Sequence, residues 1–220
     1  MRILAALLFL ATPAAAQSWD MIVAGVSIGT ATLDVRDAGG AYRIDGTARS
    51  AGVARAVGGY DYAGRITGSG STAAPRPDRY EEVERVRGDE RRTVLNLSGT
   101  PSVEDAPGDA LPPETIRGAL DPLSAMNLIL RDRPAAGACD LSLRFTDGVR
   151  MAAIALRPTS DPLTCAGAWQ RLAGPPPADG RERRRAAAFT VSLTPIADGV
   201  LRVAEISADA PIGRFRLVRR

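Results

Sequence analysis

Residues 139–169 read "CDLSLRFTDGVRMAAIALRPTSDPLTCAGAW". Asp147-Gly148 is a strong two-residue hairpin signal. With Thr146 opposite Val149, Phe145 faces Arg150, Leu143 faces Ala152, Leu141 faces Ile154 and Cys139 faces Leu156. One face of the hairpin is then almost wholly apolar: Cys139, Leu141, Leu143, Phe145, Ala152, Ile154 and Leu156. The other carries Asp140, Ser142, Arg144 and Thr146. After "RPTSDP" a third strand, "LTCAGAW", brings in Cys165. The stretch predicts an antiparallel meander with one side in the core, because side chains alternate between faces with a period of two.

These two cysteines are the chain's whole complement. A reactive pair would want a CxxC spacing or a histidine, and the sequence has neither. A structural disulfide Cys139–Cys165 is the expectation, worth roughly 3.5 kcal/mol for a loop of this length in the chain-entropy model. In a flat meander the first and third strands lie about 9.6 Å apart, whereas a disulfide needs Cα atoms within about 7 Å. Either the bond wraps the end of the middle strand or the sheet curls sharply there.

Toward the N-terminus the chain opens "MRILAALLFLATPAAAQSW". Arg2 supplies a short positive region, Ile3–Ala11 an apolar run and Ala14–Ala16 an A-x-A cleavage site, the pattern of an export signal. The run is about half the roughly 20 residues that cross a bilayer. The expected organisation is a signal peptide over residues 1–16 and a single β-rich exported domain over 17–220, located in the periplasm and not membrane-spanning. An oxidising compartment agrees with a paired cysteine.

Within that domain, Trp19–Val35 is too long for one flat strand. Its apolar residues switch from even to odd positions across Gly25 and Gly29, which predicts a bulge or bend that curls a sheet. "DAGG" (37–40) then turns the chain; pairing Arg36 with Ala41 sets Val35 against Tyr42, Leu33 against Ile44 and Asp34 against Arg43. Tyr60, Tyr62 and Ile66 lie on one side of the next strand. "GSGSTAAPRPD" reads as a loop, Tyr80–Leu97 as a charged hairpin about Gly88-Asp89 with its register open, and 101–113 as a proline-rich connection. "LDPLSAMNLILRD" predicts a helix with Asp121 as N-cap and Pro122 at N1. It is apolar on nearly all sides and so wants cover all round, which the concave side of a curved sheet provides. Near the C-terminus, Phe189, Val191 and Leu193 alternate, Asp198-Gly199 turns the chain, and Phe215 and Leu217 alternate with arginine.

Composition closes off several chemistries. The chain has no histidine, which removes the usual general base, the Ser-His and Cys-His pairs and the commonest metal ligand. All its basic residues are arginine, which excludes Schiff-base lysines and Walker-type phosphate loops. The run Arg181, Arg183, Arg184 and Arg185 could touch anionic head groups, but a solvated loop is the simpler reading. Aromatic interleaving of the kind that binds nucleic acid is missing, and the net charge of +3 is small.

Several segments together resemble the exported bacterial family called domain of unknown function 3108. They are "AGVSIGTATLDV", "YRIDGTARSAGVARAVGGY", "GALDPLSA", "CDLSLRFTDGVRM", the following "LTC" and "PIGRFRLV". Their most specific pieces are Asp121–Ala125 and the spacing of Cys139 from Asp147-Gly148. The resemblance implies a periplasmic protein of Gram-negative bacteria. Its fold would be a strongly curved antiparallel sheet, an open or half barrel similar to the lipoprotein-carrier group, with one main helix packed on it. It brings no catalytic residues and no cofactor.

The expected function is therefore binding of a lipid or another hydrophobic ligand in cell-envelope maintenance, with Leu123, Met126, Leu130, Leu143 and Phe145 lining an apolar cavity. The alternative is a structural or protein-interaction module of the envelope without a small ligand. No enzyme is expected, because a hydrolase would have to rely on paired carboxylates such as Asp198 and Glu205 or on a serine without histidine.

Overall fold

The protein is described from a computed structural model over residues 16–175, 186–211 and 213–220. Residues 1–15 of the expected signal peptide and the arginines at 181–185 lie outside the described residues. The strands are β1 (Gln17–Val23), β2 (Val26–Ala38), β3 (Ala41–Ser50), β4 (Tyr60–Ser71), β5 (Ala74–Val86), β6 (Asp89–Asn96), β7 (Ser102–Asp105), β8 (Arg133–Pro134), β9 (Leu141–Thr146), β10 (Met151–Pro158), β11 (Thr164–Ala173), β12 (Ala186–Ala197), β13 (Val200–Ala210) and β14 (Gly213–Arg219). Helices α1 (Gly52–Val57), α2 (Pro113–Ile116) and α3 (Pro122–Leu130) interrupt them.

All the strands belong to one antiparallel sheet, in the order β7-β6-β5-β4-β3-β2-β1-β14-β13-β12-β11-β10-β9, with β8 against β13. Two meanders are thus joined where the chain's ends meet: β14 pairs with β1, Trp19 opposite Arg219. Inward-facing residues from both meanders build a single core, including Ile44, Ile66 and Leu95 from one and Leu156, Val191 and Val203 from the other. A shared core from strands so far apart in the sheet requires strong curvature.

The sheet does not close into a barrel. Its outer strands β7 and β9 are bridged instead by the segment between them. Leu111 N–H donates to Gly148 O at 2.7 Å, and Leu120 exchanges backbone bonds with Arg144 and Thr146 at 2.9 Å each. Ile116, Ala119 and Met151 pack as a small second cluster under this bridge.

The fold class follows the sequence reading, while several local expectations change. The stretch Trp19–Val35 is two strands, β1 and β2, joined by a turn at Ala24-Gly25. The bulge stands at Ile28, where the pairing shifts between Met21–Gly29 and Ile22–Ser27. The β2–β3 turn is the two residues Gly39-Gly40, both with positive φ (59° and 86°). Arg36 therefore faces Arg43 and Asp34 faces Asp45, not the expected Asp34–Arg43 pair. The charges balance along the strands instead, as Arg43 and Arg65 both reach Asp45. "GSGSTAAPRPD" is not a loop: β4 and β5 run through it to a turn at Thr72-Ala73, with Gly70 opposite Pro75. Residues 101–113 contain β7, which adds an edge strand to β6.

The hairpin at 139–156 is also longer in its loop than expected. Thr146 pairs with Met151, Phe145 with Ala152, Leu143 with Ile154 and Leu141 with Leu156. Side chains hold the loop open at four residues. Asp147 Oδ1 accepts the N–H groups of Val149 (3.0 Å) and Arg150 (2.6 Å). Thr146 Oγ1 accepts Gly148 N–H at 2.9 Å and donates to Arg150 O at 2.8 Å. Such local bonds outcompete the tighter turn. The shift is by two residues, so every side chain keeps its face.

Cys139 consequently falls outside the ladder, two residues before β9, while Cys165 pairs with Pro158, the last residue of β10. The two are disulfide-bonded with Cα atoms 5.3 Å apart. Of the two geometries the sequence allowed, the bond takes the first, passing around the end of the middle strand.

Candidate binding cavity

Helix α3 starts as its residues dictate. Asp121 Oδ1 accepts the N–H of Leu123 and of Ser124 at 2.9 Å each, and Pro122 occupies the first helical position. Three polar tethers hold the helix and its end to the sheet and to the β4–β5 turn. Ser124 Oγ lies 3.1 Å from Tyr42 Oη, and Asn127 Nδ2 donates to Thr72 O at 2.9 Å. Just past the helix end, Asp132 pairs with Arg202 at 2.7 Å and Arg219 at 3.5 Å. Arg219 also lies over the Trp19 ring, 5.4 Å from its centroid, a cation–π contact. Burial pushes the Asp121 carboxyl up to about 6.

The cover around α3 is uneven. Ala125 and Ile129 pack with Leu143 of β9, and Leu123 and Leu130 join the main core. Met126, by contrast, is 40% exposed. The expected all-round cover holds for most of the helix, since Leu123, Ser124, Ala125, Asn127, Ile129 and Leu130 are buried; Met126 alone is exposed and borders an open space.

That space is a half-open cavity of about 530 Å³ between α3, the concave sheet and the β9–β10 loop, within the 300–1,000 Å³ typical of small-molecule sites. Trp19, Leu33, Ile206 and Leu217 of the sheet and Leu123 and Leu130 of α3 line its apolar part. Of the five residues named from sequence, Leu123, Met126, Leu130 and Phe145 line it, while Leu143 lies outside it among the helix contacts.

Its other end is polar, with Tyr60, Tyr62, Glu82, Glu84, Arg91 and Arg150. Tyr60 Oη donates to Glu84 at 3.1 Å. Tyr62 and Tyr80 hydroxyls lie 3.0 Å apart, and Tyr80 donates to Glu82. Burial is the main cause that pushes Glu82 up to about 7 and raises all three phenols well above their ordinary value. Sequence reasoning missed this end. The signal was present as the parity of Tyr80, Glu82 and Glu84, but an open register left the face of these residues undecided.

Chemically, the arrangement can sequester an apolar group and meet a polar one at the rim. No group of three or more His, Cys, Asp or Glu side chains among the described residues is placed to hold a metal ion. Asp198 sits in the β12–β13 turn, and Glu205 is engaged by Arg216 at 2.6 Å. No helix among the described residues is long and apolar enough to cross a membrane.

No family model matches this sequence, and no curated protein matches it. Among solved structures, the chain is similar to the crystal structure of a β-barrel-like protein of domain of unknown function 1849 from Brucella abortus. The likeness covers 93% of this chain and 94% of that one, at 12% identity and a TM-score of 0.51. At that identity it speaks for a shared barrel-like architecture alone, and it does not single out the 3108 family.

Proposed function

We propose that this protein binds a hydrophobic or lipid-like ligand inside its curved sheet, as an exported component of the bacterial envelope. The carrying observation is the cavity of about 530 Å³, apolar beside α3 and polar at its far end. Although α3 seats on the sheet at Gly46 and Tyr42, Met126 stands exposed at the border of the space. The disulfide supports an oxidising compartment, and the N-terminal pattern supports delivery to the periplasm through a cleaved signal peptide. On this reading the chain is a relative of the domain of unknown function 3108 family, the assignment its motifs favour.

Native mass spectrometry of protein purified from a periplasm tests the proposal. A co-purifying mass that organic solvent extracts as a lipid is the expected result. A ligand-free protein that also takes up no added amphiphile, read by fluorescence of the cavity-lining Trp19, would sink it and leave the envelope-scaffold alternative.

A further inference from the structure

The charged groups at the polar end of the cavity are not equally engaged. Glu84 has the Tyr60 hydroxyl, Glu82 has that of Tyr80, and Asp147 Oδ1 holds two backbone N–H groups. Burial and its acidic neighbours Glu84 and Asp147 also keep Glu82 partly uncharged near neutral pH. The carboxylates are thus supplied with donors from the protein itself.

The two arginines differ. Arg91 stands directly opposite Glu84 across the β5–β6 pair, yet among the described residues it forms no ion pair. Arg150 Nε is shielded from solvent without a hydrogen-bond partner, and Asp147 Oδ2 is 3.7 Å away, beyond hydrogen-bond range. Arg150 therefore has only a long ion pair with Asp147, and a shielded guanidinium N–H without a hydrogen bond is costly, so an acceptor delivered to it is favourable. The loop's hydrogen bonds use only Arg150's backbone N–H and C=O, and the side chain adds just that single long ion pair. Guanidinium groups match carboxylate and phosphate oxygens in fork geometry.

We infer that the cavity selects amphiphiles with an anionic carboxylate or phosphate head, held by Arg91 and Arg150, with the hydrocarbon chain along its apolar part beside α3. The inference rests on the ligand-binding reading above and deepens it.

The test uses the mature protein and four probes of equal chain length below their micelle concentrations: laurate, dodecyl phosphate, dodecyl maltoside and dodecyltrimethylammonium. Titrations at about 0.15 M salt screen long-range attraction to exposed charges. The expected result is binding of one or both anionic probes at least about tenfold tighter than the neutral and cationic ones, the scale of one charge-assisted hydrogen bond. Laurate against dodecyl phosphate separates a carboxylate source from a phosphate source. Arg91→Gln, at an exposed position, and Arg150→Gln should each weaken the anionic probes several-fold more than dodecyl maltoside. Equal binding of all probes, tightest binding of the cation, or a preference that persists in Arg91→Gln overturns the inference and leaves the cavity reading standing. Failure of every probe, the neutral one included, removes both.

Discussion

Leu123 on α3 packs its Cδ2 against the bare backbone of Gly46 on β3, in the space a Cβ would occupy. The sheet thus carries a dent that seats the helix. Gly46→Ala forces the two apart and is expected to destabilise the protein by about 1–3 kcal/mol, the usual cost of overpacking. In a Leu123→Ala background the same change should cost close to nothing, because the clashing methyl is gone. Urea unfolding of the four proteins in this cycle measures the coupling. Additive effects would show that α3 does not seat here.

Gly148 offers a contrast with Gly199. Both are turn glycines with positive φ, 86° and 69°. Around Gly199 a Cβ would meet open space, whereas at Gly148 it would overlap Leu95 and come within 3.2 Å of Val103. Gly148 is where the β9–β10 loop closes on the β6–β7 edge. Alanine at 199 should cost about 1–2 kcal/mol for the backbone alone. Alanine at 148 should cost roughly 1–3 kcal/mol more, through overpacking. Equal losses in the melting temperature would argue against the bridge between the outer strands.

Removing the Cys139–Cys165 bond, by reduction or by paired serine substitution, is expected to cost about 2–4 kcal/mol. For a chain of this size that corresponds to a fall of roughly 4–16 °C in melting temperature. Differential scanning calorimetry with and without reductant measures it. An unchanged transition would mean the staple contributes nothing to the fold.

Glu82 makes stability depend on pH in an unusual direction for a carboxylate. Its folded value is raised from 4.5 to about 7, so the folded protein holds more protons than the unfolded chain between those values. The stability it contributes is fully present below pH 4.5 and is lost as pH rises through 7. Asp121, raised from 3.8 to about 6, acts in the same direction in a lower window. Glu82 alone accounts for roughly 3 kcal/mol over its window at 1.36 kcal/mol per pH unit. The urea midpoint of the wild type should therefore fall between pH 4.5 and about 8, and Glu82→Gln should flatten the upper part of that fall. A parallel profile in the variant would assign the dependence elsewhere.

What could be read without coordinates was everything that depends on local alternation. Leu141, Leu143 and Phe145 share a face with Ala152 and Ile154 whether the loop has two residues or four, because a shift by two preserves parity. The N-cap of α3 was equally legible, since Asp121 acts on N–H groups two and three residues away. Even the disulfide's route was narrowed to two geometries by the strand spacing alone.

Loop lengths were a matter for the tertiary structure where side chains competed with backbone turns, as Thr146 and Asp147 do. So was the polar end of the cavity. Glu82 and Glu84 come from β5, Arg91 from β6 and Arg150 from a loop nearly sixty residues further on. Only the curl of the sheet and the bridge from Leu111 to Leu120 set them around one space. Sequence alternation can say that each side chain points to the same side of a sheet; how far that sheet bends, and so which distant residues meet across it, is decided by the packing of α3 and by the joining of the two meanders at Trp19 and Arg219.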